Sequence, residues 1–503
     1  MIAPWRLAAV ALVAASTLAE AQRRPAPPAG PGIDAYVAKA LTDWEAPGLA
    51  IAVVRNDSLV FAKGYGVREI GKPEPVTPNT VFAIGSTSKA FTVGLLGMLV
   101  DEKRITWDDR VTNYLPSFEL FDSYATRDLT IRDLLTHRSG LPRGDRLWGN
   151  SGFSRAEVLR RVRFLEPSWP FRSRYGYQNI MFLAAGTVAE SVASKSWDDL
   201  IAERIFRPLG MSRSVTSVTQ LPTMTDVATP HEKLGGKTTA VEWSNIDNIG
   251  PAGSINSSVT DMAQWIRMQL GQGTYQGKKL LEANTVKEMH TAQMHQRLSE
   301  EDEKTYPETH LLSSGLGWSI RDYRGMKVVS HGGAIRGMRA QVVLVPERKL
   351  GVVVLTNVAE SSLPTAMGYK LVDLYTAGPP KDWSGVLLAS TKAARDRAAE
   401  ERRKVEAGRV MGTKPTLELS RYPGVYADSM YGDIKIAAAG DKLVASFGPQ
   451  FTGDLAHWNY DTFEITWRNP VFGKTLVTFQ LDPRGRTKSL EYPDVATFGR
   501  RDR

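Results

Sequence analysis

The sequence predicts an α+β domain, an antiparallel sheet flanked by helices with a helical subdomain, followed by a small all-β domain of barrel or sandwich type. Three observations carry this. Two alternating apolar runs, "GLAIAVVRNDSLVFAKGYG" and "RAQVVLVPERKLGVVVLTN", each break at a turn and read as β-hairpins able to share one sheet. Capped helical segments fill the interval between them. Beyond about Thr413 the texture changes to short alternating strands punctuated by Gly and Asp.

The elements follow in order. Arg6 precedes an apolar stretch from Leu7 to Leu18, and Ala19-Glu20-Ala21 supplies a small-x-small site, so residues 1–21 read as a secretory signal. The stretch is short for a bilayer span, which weighs against a membrane anchor, and no later stretch reaches transmembrane length. Residues 22–32, with "RRPAPPAGPG", form a proline-rich tether. The first domain is expected over 33–380. Its first hairpin turns at Asn56-Asp57 and its second at Pro346 to Lys349. Thr130 and Asp133 form a capping box, Ser196 and Asp199 repeat the device, and Pro208 with Gly210 stops the second helix. Thr291 to Leu312, with "EEDEK", reads as a mobile or solvated insertion. Residues 381–412 read as a solvated helical linker with Glu400 and Lys404 paired at i,i+4. The small β-domain occupies 413–503.

Composition bounds the chemistry. The chain has 503 residues, 42% hydrophobic and 23% charged, enough for two or three globular domains. The net charge of +9 is dispersed among acids without a nucleic-acid motif. There is no cysteine, which excludes disulfides, thiol nucleophiles and thiolate metal sites. No G-x-S-x-G and no H-E-x-x-H occurs, which disfavours an α/β-hydrolase and a zinc hydrolase.

Three motifs carry chemistry. In "FAIGSTSKAF", Ser86 and Lys89 lie three residues apart where a helix begins, so they share a face. A desolvated Lys89 would lose its proton readily and accept one from Ser86, and a helix start offers free N–H groups to an oxyanion. Alone, S-x-x-K is a weak signal. In "RYGYQNIMFLAAG", Tyr177 can relay protons and Asn179 offers an amide donor and acceptor; a core tyrosine with a capping asparagine is the plainer alternative. In "VVSHGGAIRGM", His331 could orient Tyr177 or a substrate, Gly332 and Gly333 permit close backbone approach, and Ala334 N–H could be a second oxyanion donor. His137, at the end of a capped helix, reads as structural.

These motifs in this order resemble the serine β-lactamase and penicillin-binding-protein superfamily, and most of all its class C β-lactamase-related branch. "LLTHRSGLP", "IFRPLGM", "GPAGSINSSVTDMAQW" and "GLGW" add to the likeness, which covers roughly Ile33 to Ala377. The C-terminal segment is similar to the lipocalin-like β-barrel often fused to such hydrolases. The resemblance implies that Ser86 is the acylated nucleophile, that Lys89 and Tyr177 share acid/base duty, and that the Ser86 and Ala334 N–H groups bind the oxyanion. Asn179, Gly332 and Gly333 would contact substrate.

His331 stands where many β-lactamases have the lysine of K-T-G. A histidine with an ordinary pKa of about 6.5 is mostly neutral at pH 7, so carboxylate recognition and the field on Tyr177 should weaken unless Arg336 or Arg339 compensates. The expectation is therefore a secreted, periplasmic serine hydrolase acting on a small ester, amide or peptide, needing no cofactor, metal, nucleic acid or stable membrane span. The alternatives are a weak β-lactamase or D,D-carboxypeptidase, and a catalytically silent peptidoglycan binder.

Overall fold

The computed structural model describes residues 31–359 and 361–501. The expected signal and the tether up to residue 30 lie outside the described residues. Pro31 and Gly32 open the first helix.

Eight strands form one antiparallel sheet: β1 (Gly48–Arg55), β2 (Ser58–Gly66), β3 (Met294–Gln296), β4 (Leu312–Ser314), β5 (Ser319–Tyr323), β6 (Met326–Ile335), β7 (Met338–Val345) and β8 (Leu350–Thr356). Their spatial order is β2-β1-β8-β7-β6-β5-β4-β3. The two expected hairpins lie side by side, with Leu49 opposite Thr356 and Arg55 opposite Leu350. Asn56 and Asp57 hold φ at 50° and 61°, the left-handed backbone that a two-residue hairpin turn requires.

The helices that position the site are α1 (Pro31–Trp44), α2 (Ser88–Asp101), α3 (Ile180–Ala193), α4 (Val259–Leu270), α5 (Leu363–Thr376) and α6 (Trp383–Ala407). Both faces of the sheet are covered, so β1, β7 and β8 read as nearly unbroken apolar runs. The period of two still sorts their side chains into two cores. Ala52, Val342 and Val353 pack toward α2, α3 and α4, whereas Ile51, Val343 and Val352 pack toward α1, α5 and α6.

Helix α2 is buried on every side from Ser88 to Leu99, as a helix that is apolar all round must be. Phe91 stacks on Trp265 of α4 with centroids 4.1 Å apart. A Cβ at Gly94 would come within 2.9 Å of the same indole, so the glycine permits the close packing.

Several local expectations are corrected. The Thr130–Asp133 capping box forms, but Pro208 does not stop its helix. The helix first widens into a π turn at Ala202–Phe206, which makes room for a ring that would clash with the carbonyl four residues back, and ends at Gly210 with φ 67°. Residues 291–312 are no plain loop. They supply the edge strands β3 and β4 and a short helix, Glu300–Thr305, with its own Ser299–Asp302 capping box. On α6, Glu400 pairs with Arg403 and Lys404 with Glu401, both at i,i+3.

Beyond α6, eight consecutive strands from Gly424–Asp428 to Ala496–Arg500 close into an antiparallel barrel with an aromatic interior that includes Tyr426, Phe451, Phe463 and Trp467. Among the described residues, no helix is long and apolar enough to cross a membrane.

Candidate active site

The chain enters the site through a tight turn. Gly85–Thr87 is one 3-10 turn, and α2 begins only at Ser88, so Ser86 sits ahead of the helix rather than in it. Gly85 holds φ at 52°, and a Cβ there would lie 2.7 Å from Ala334 N. A Cβ at Gly333 would overlap the Ile84 carbonyl oxygen. Both glycines thus let the Ser86 turn press against β6, which brings the Ala334 backbone beside the Ser86 backbone. Gly333 serves this backbone contact as well as lining the cavity. Gly332 is exposed on the pocket side, where a substrate can approach.

Lys89 is completely buried. Its Nζ lies 3.1 Å from Ser86 Oγ, 2.8 Å from Asn179 Oδ1 and 2.8 Å from the Ala252 carbonyl oxygen. Burial drives its pKa well below the ordinary lysine range, against the opposing pull of the Asp145 carboxylate, and the positive charge of Arg143 adds to the fall. Asn179 and Ala252 present only acceptors to it. A neutral amine therefore spends its two N–H bonds there and turns its lone pair to the Ser86 hydroxyl.

Asn179 opens α3, yet its side chain makes no cap hydrogen bond. Its Nδ2 donates to Asp145 Oδ1 at 3.0 Å, which points Oδ1 at Lys89. Asp145 also accepts from Trp148 Nε1 at 3.0 Å and from Arg143 Nε at 2.6 Å. The plainer reading of Asn179 as a helix cap is thereby replaced.

Tyr177 hydrogen-bonds Ser86, and its ring centroid lies 4.9 Å from Lys89 Nζ and 4.9 Å from the Arg143 guanidinium carbon. Burial nevertheless pushes the phenol up to about 12. The hydrogen bond with Ser86 and the Arg143 charge only moderate this rise, so Tyr177 is a proton donor at neutral pH and not a phenolate base.

His137 stacks on Tyr177 with centroids 4.4 Å apart, and its Nδ1 accepts from Gln178 N at 3.1 Å. Burial holds it well below the usual histidine pKa. It is a positioning residue for the tyrosine, more than the helix-end histidine expected. His331 lies half-buried in the pocket wall, with Nδ1 2.6 Å from the Gly332 carbonyl oxygen. Burial, with the Lys89 charge adding to it, pushes its pKa down to about 4.

These groups share a cavity of about 510 Å³. Beyond Ser330 the edge of β6 has no partner in β5, which begins opposite it at Ser319. The cavity passes this edge toward Tyr306, Arg321 and Thr365. Three arginines line it, Arg143, Arg321 and Arg339, and no carboxylate does among the described residues. Arg336 turns elsewhere, to Asn150 Oδ1 at 3.2 Å and over the Phe472 ring of the barrel.

All eight residues singled out from sequence (Ser86, Lys89, Tyr177, Asn179, His331, Gly332, Gly333 and Ala334) line this cavity or, for Lys89, its buried floor. Sequence reasoning missed Arg143, Asp145 and Trp148. Their only local signal was a charged pair after "SGLP".

A family model described as Beta-lactamase matches residues 33–376, and one described as a domain of unknown function (DUF3471) matches residues 408–502. Unguisins hydrolase ungD from Aspergillus violaceofuscus is 29% identical over 500 residues, 90% of this chain and 86% of that one. Penicillin-binding protein 4 from Amycolatopsis lactamdurans is 29% identical over 324 residues, 63% of this chain and 82% of that one. In fold, the octameric penicillin-binding protein homologue from Pyrococcus abyssi is similar at a TM-score of 0.62 and 20% identity, over 93% of this chain and 99% of that chain.

Proposed function

The chain belongs to the Beta-lactamase family, and on that premise we propose that it is a secreted serine hydrolase working through an acyl-enzyme on small esters or on amides and peptides of D-amino acids. The observation that carries this reading is the wholly buried Lys89, whose Nζ stands 3.1 Å from Ser86 Oγ with its other contacts taken by acceptors. A buried lysine without a carboxylate partner is costly, and a general base is the use that repays it. The hydrolase names of relatives along most of the chain support the same class.

The proposed steps follow from the groups. Lys89 takes the Ser86 hydroxyl proton as Oγ bonds to the substrate carbonyl carbon. The resulting oxyanion lies between the Ser86 and Ala334 N–H groups. The bond to the leaving oxygen or nitrogen breaks as Tyr177 gives that atom a proton, and the proton on Lys89 then replaces the one the phenol lost. Water next gives a proton to Lys89 and attacks the ester. Lys89 returns that proton to Ser86 Oγ as the acyl bond breaks, and the product acid leaves, losing its own proton to solvent.

Three arginines bring positive charge to the pocket wall, although Arg143 shares its charge with Asp145 and Arg321 with Asp302. They favour substrates that carry a carboxylate over neutral esters. Intact-mass analysis after treatment with a fluorophosphonate tests the core of the reading. A single adduct on the natural chain and none on a folded Ser86→Ala variant is expected. No adduct on the natural chain would overturn the reading.

A further inference from the structure

The stretch Arg143-Gly144-Asp145-Arg146 faces two domains at once. Arg143 lies over Tyr177 and Asp145 holds Asn179, whereas the Arg146 guanidinium carbon lies 5.5 Å from the ring centroids of both Phe451 and Tyr492 in the barrel. Those two rings belong to the barrel's buried interior, so Arg146 occupies its mouth. The seat is close-fitting. Gly448 of the barrel, at φ 63°, would bring a Cβ within 3.2 Å of the Asn150 and Ser151 carbonyl oxygens. One barrel turn reaches back the other way. Met430 is buried in the core of the first domain, and Arg161 donates to the carbonyls of Ser429 at 2.8 Å and Met430 at 3.2 Å.

We propose that the barrel is a positioning domain for the catalytic loop, acting through Arg146, and this rests on the serine-hydrolase reading above. Anchored at Arg146, the loop cannot swing, so Asp145 keeps the Asn179 amide turned toward Lys89 and Arg143 stays over Tyr177. The two cation–π contacts tie the loop to the barrel even though Arg146 remains exposed, and each adds a modest restraint. The barrel thus governs the rate of Ser86 acylation without touching substrate.

The test uses the full chain and a fluorophosphonate, reading the rate of Ser86 acylation for the natural protein, Arg146→Ala, Asp145→Asn and the double variant. Arg146→Ala is expected to slow acylation about tenfold, and Arg146→Lys to recover part of it. The double variant is expected to lose less than the product of the two single losses, since both act through one loop. Phe451→Leu, altered from the barrel side, should reproduce the loss if Arg146→Ala does not fold. Equal rates for the natural and variant chains, or losses that multiply in the double variant, would overturn the positioning role and leave the hydrolase reading intact. An unreactive natural chain would overturn both.

Discussion

The two walls of the cavity solve opposite problems. On the helical wall, Lys89 is wholly buried and every contact of its nitrogen is assigned, while the Ser86 hydroxyl faces the open space. On the strand wall, His331 is half-buried, Gly332 is exposed, and the edge of β6 beyond Ser330 is unpaired. The first wall sets proton affinities by excluding water. The second leaves backbone groups unclaimed for a ligand to claim. His331 was expected to be largely neutral, and the positive groups that line the cavity are Arg143, Arg321 and Arg339, of which Arg143 is paired with Asp145 and Arg321 with Asp302.

This division can be broken at its strongest point first. Lys89→Met should lower kcat for any acyl substrate by roughly 10²–10⁴, the usual worth of a general base. If single-turnover acylation by the fluorophosphonate stays at the natural rate in a folded Lys89→Met chain, the helical wall is not the seat of the base.

Tyr177→Phe tests the division of labour between base and acid. The leaving group of an amide needs a proton far more than that of an activated ester such as a nitrophenyl ester. Amide turnover should therefore fall roughly 10²-fold, within the range for a lost general acid, and ester turnover much less. Equal losses on both would place Tyr177 with Lys89 as a base.

The smallest effects belong to the strand wall. With its pKa near 4, His331 stays neutral as the pH falls from 8 to 5, and burial pushes His137 in the same direction. A profile of kcat/KM against pH should show no inflection near 6.5 that His331→Gln removes. His331→Lys should raise kcat/KM for carboxylate-bearing substrates by about tenfold, or about 1.4 kcal/mol, relative to neutral esters. An unchanged ratio would mean that the arginines already saturate this recognition.

Much of this was legible because it is local. The Asn56-Asp57 turn and the Thr130–Asp133 box involve neighbours in sequence, and β1 and β8 are marked by apolar runs that break at turns. Ser86 and Lys89 were legible only as a weak motif whose partners gave it meaning. What was not legible depends on chain segments meeting. Nothing beside Asp145 in sequence says that it will accept from Asn179 and Trp148, and nothing near Pro208 says that a π turn will absorb it. The rise in the Tyr177 pKa was missed for the same reason: burial, which only packing sets, outweighed the cations that chemistry alone would emphasise.

The buried lysine also leaves a mark on the folding equilibrium. In the unfolded chain Lys89 carries a proton up to its ordinary pKa of about 10.4, whereas the native chain holds it far less tightly. Folding therefore ejects a proton into solvent throughout the interval between the depressed native value and the ordinary one. Over that interval the unfolded state binds more protons, so the contribution of Lys89 to stability rises with pH, and it levels off once both states are neutral. Acidification charges the base and at the same time favours unfolding, so inactivation at low pH and loss of structure are two readings of one proton. Calorimetry in buffers of different ionisation enthalpy would count it.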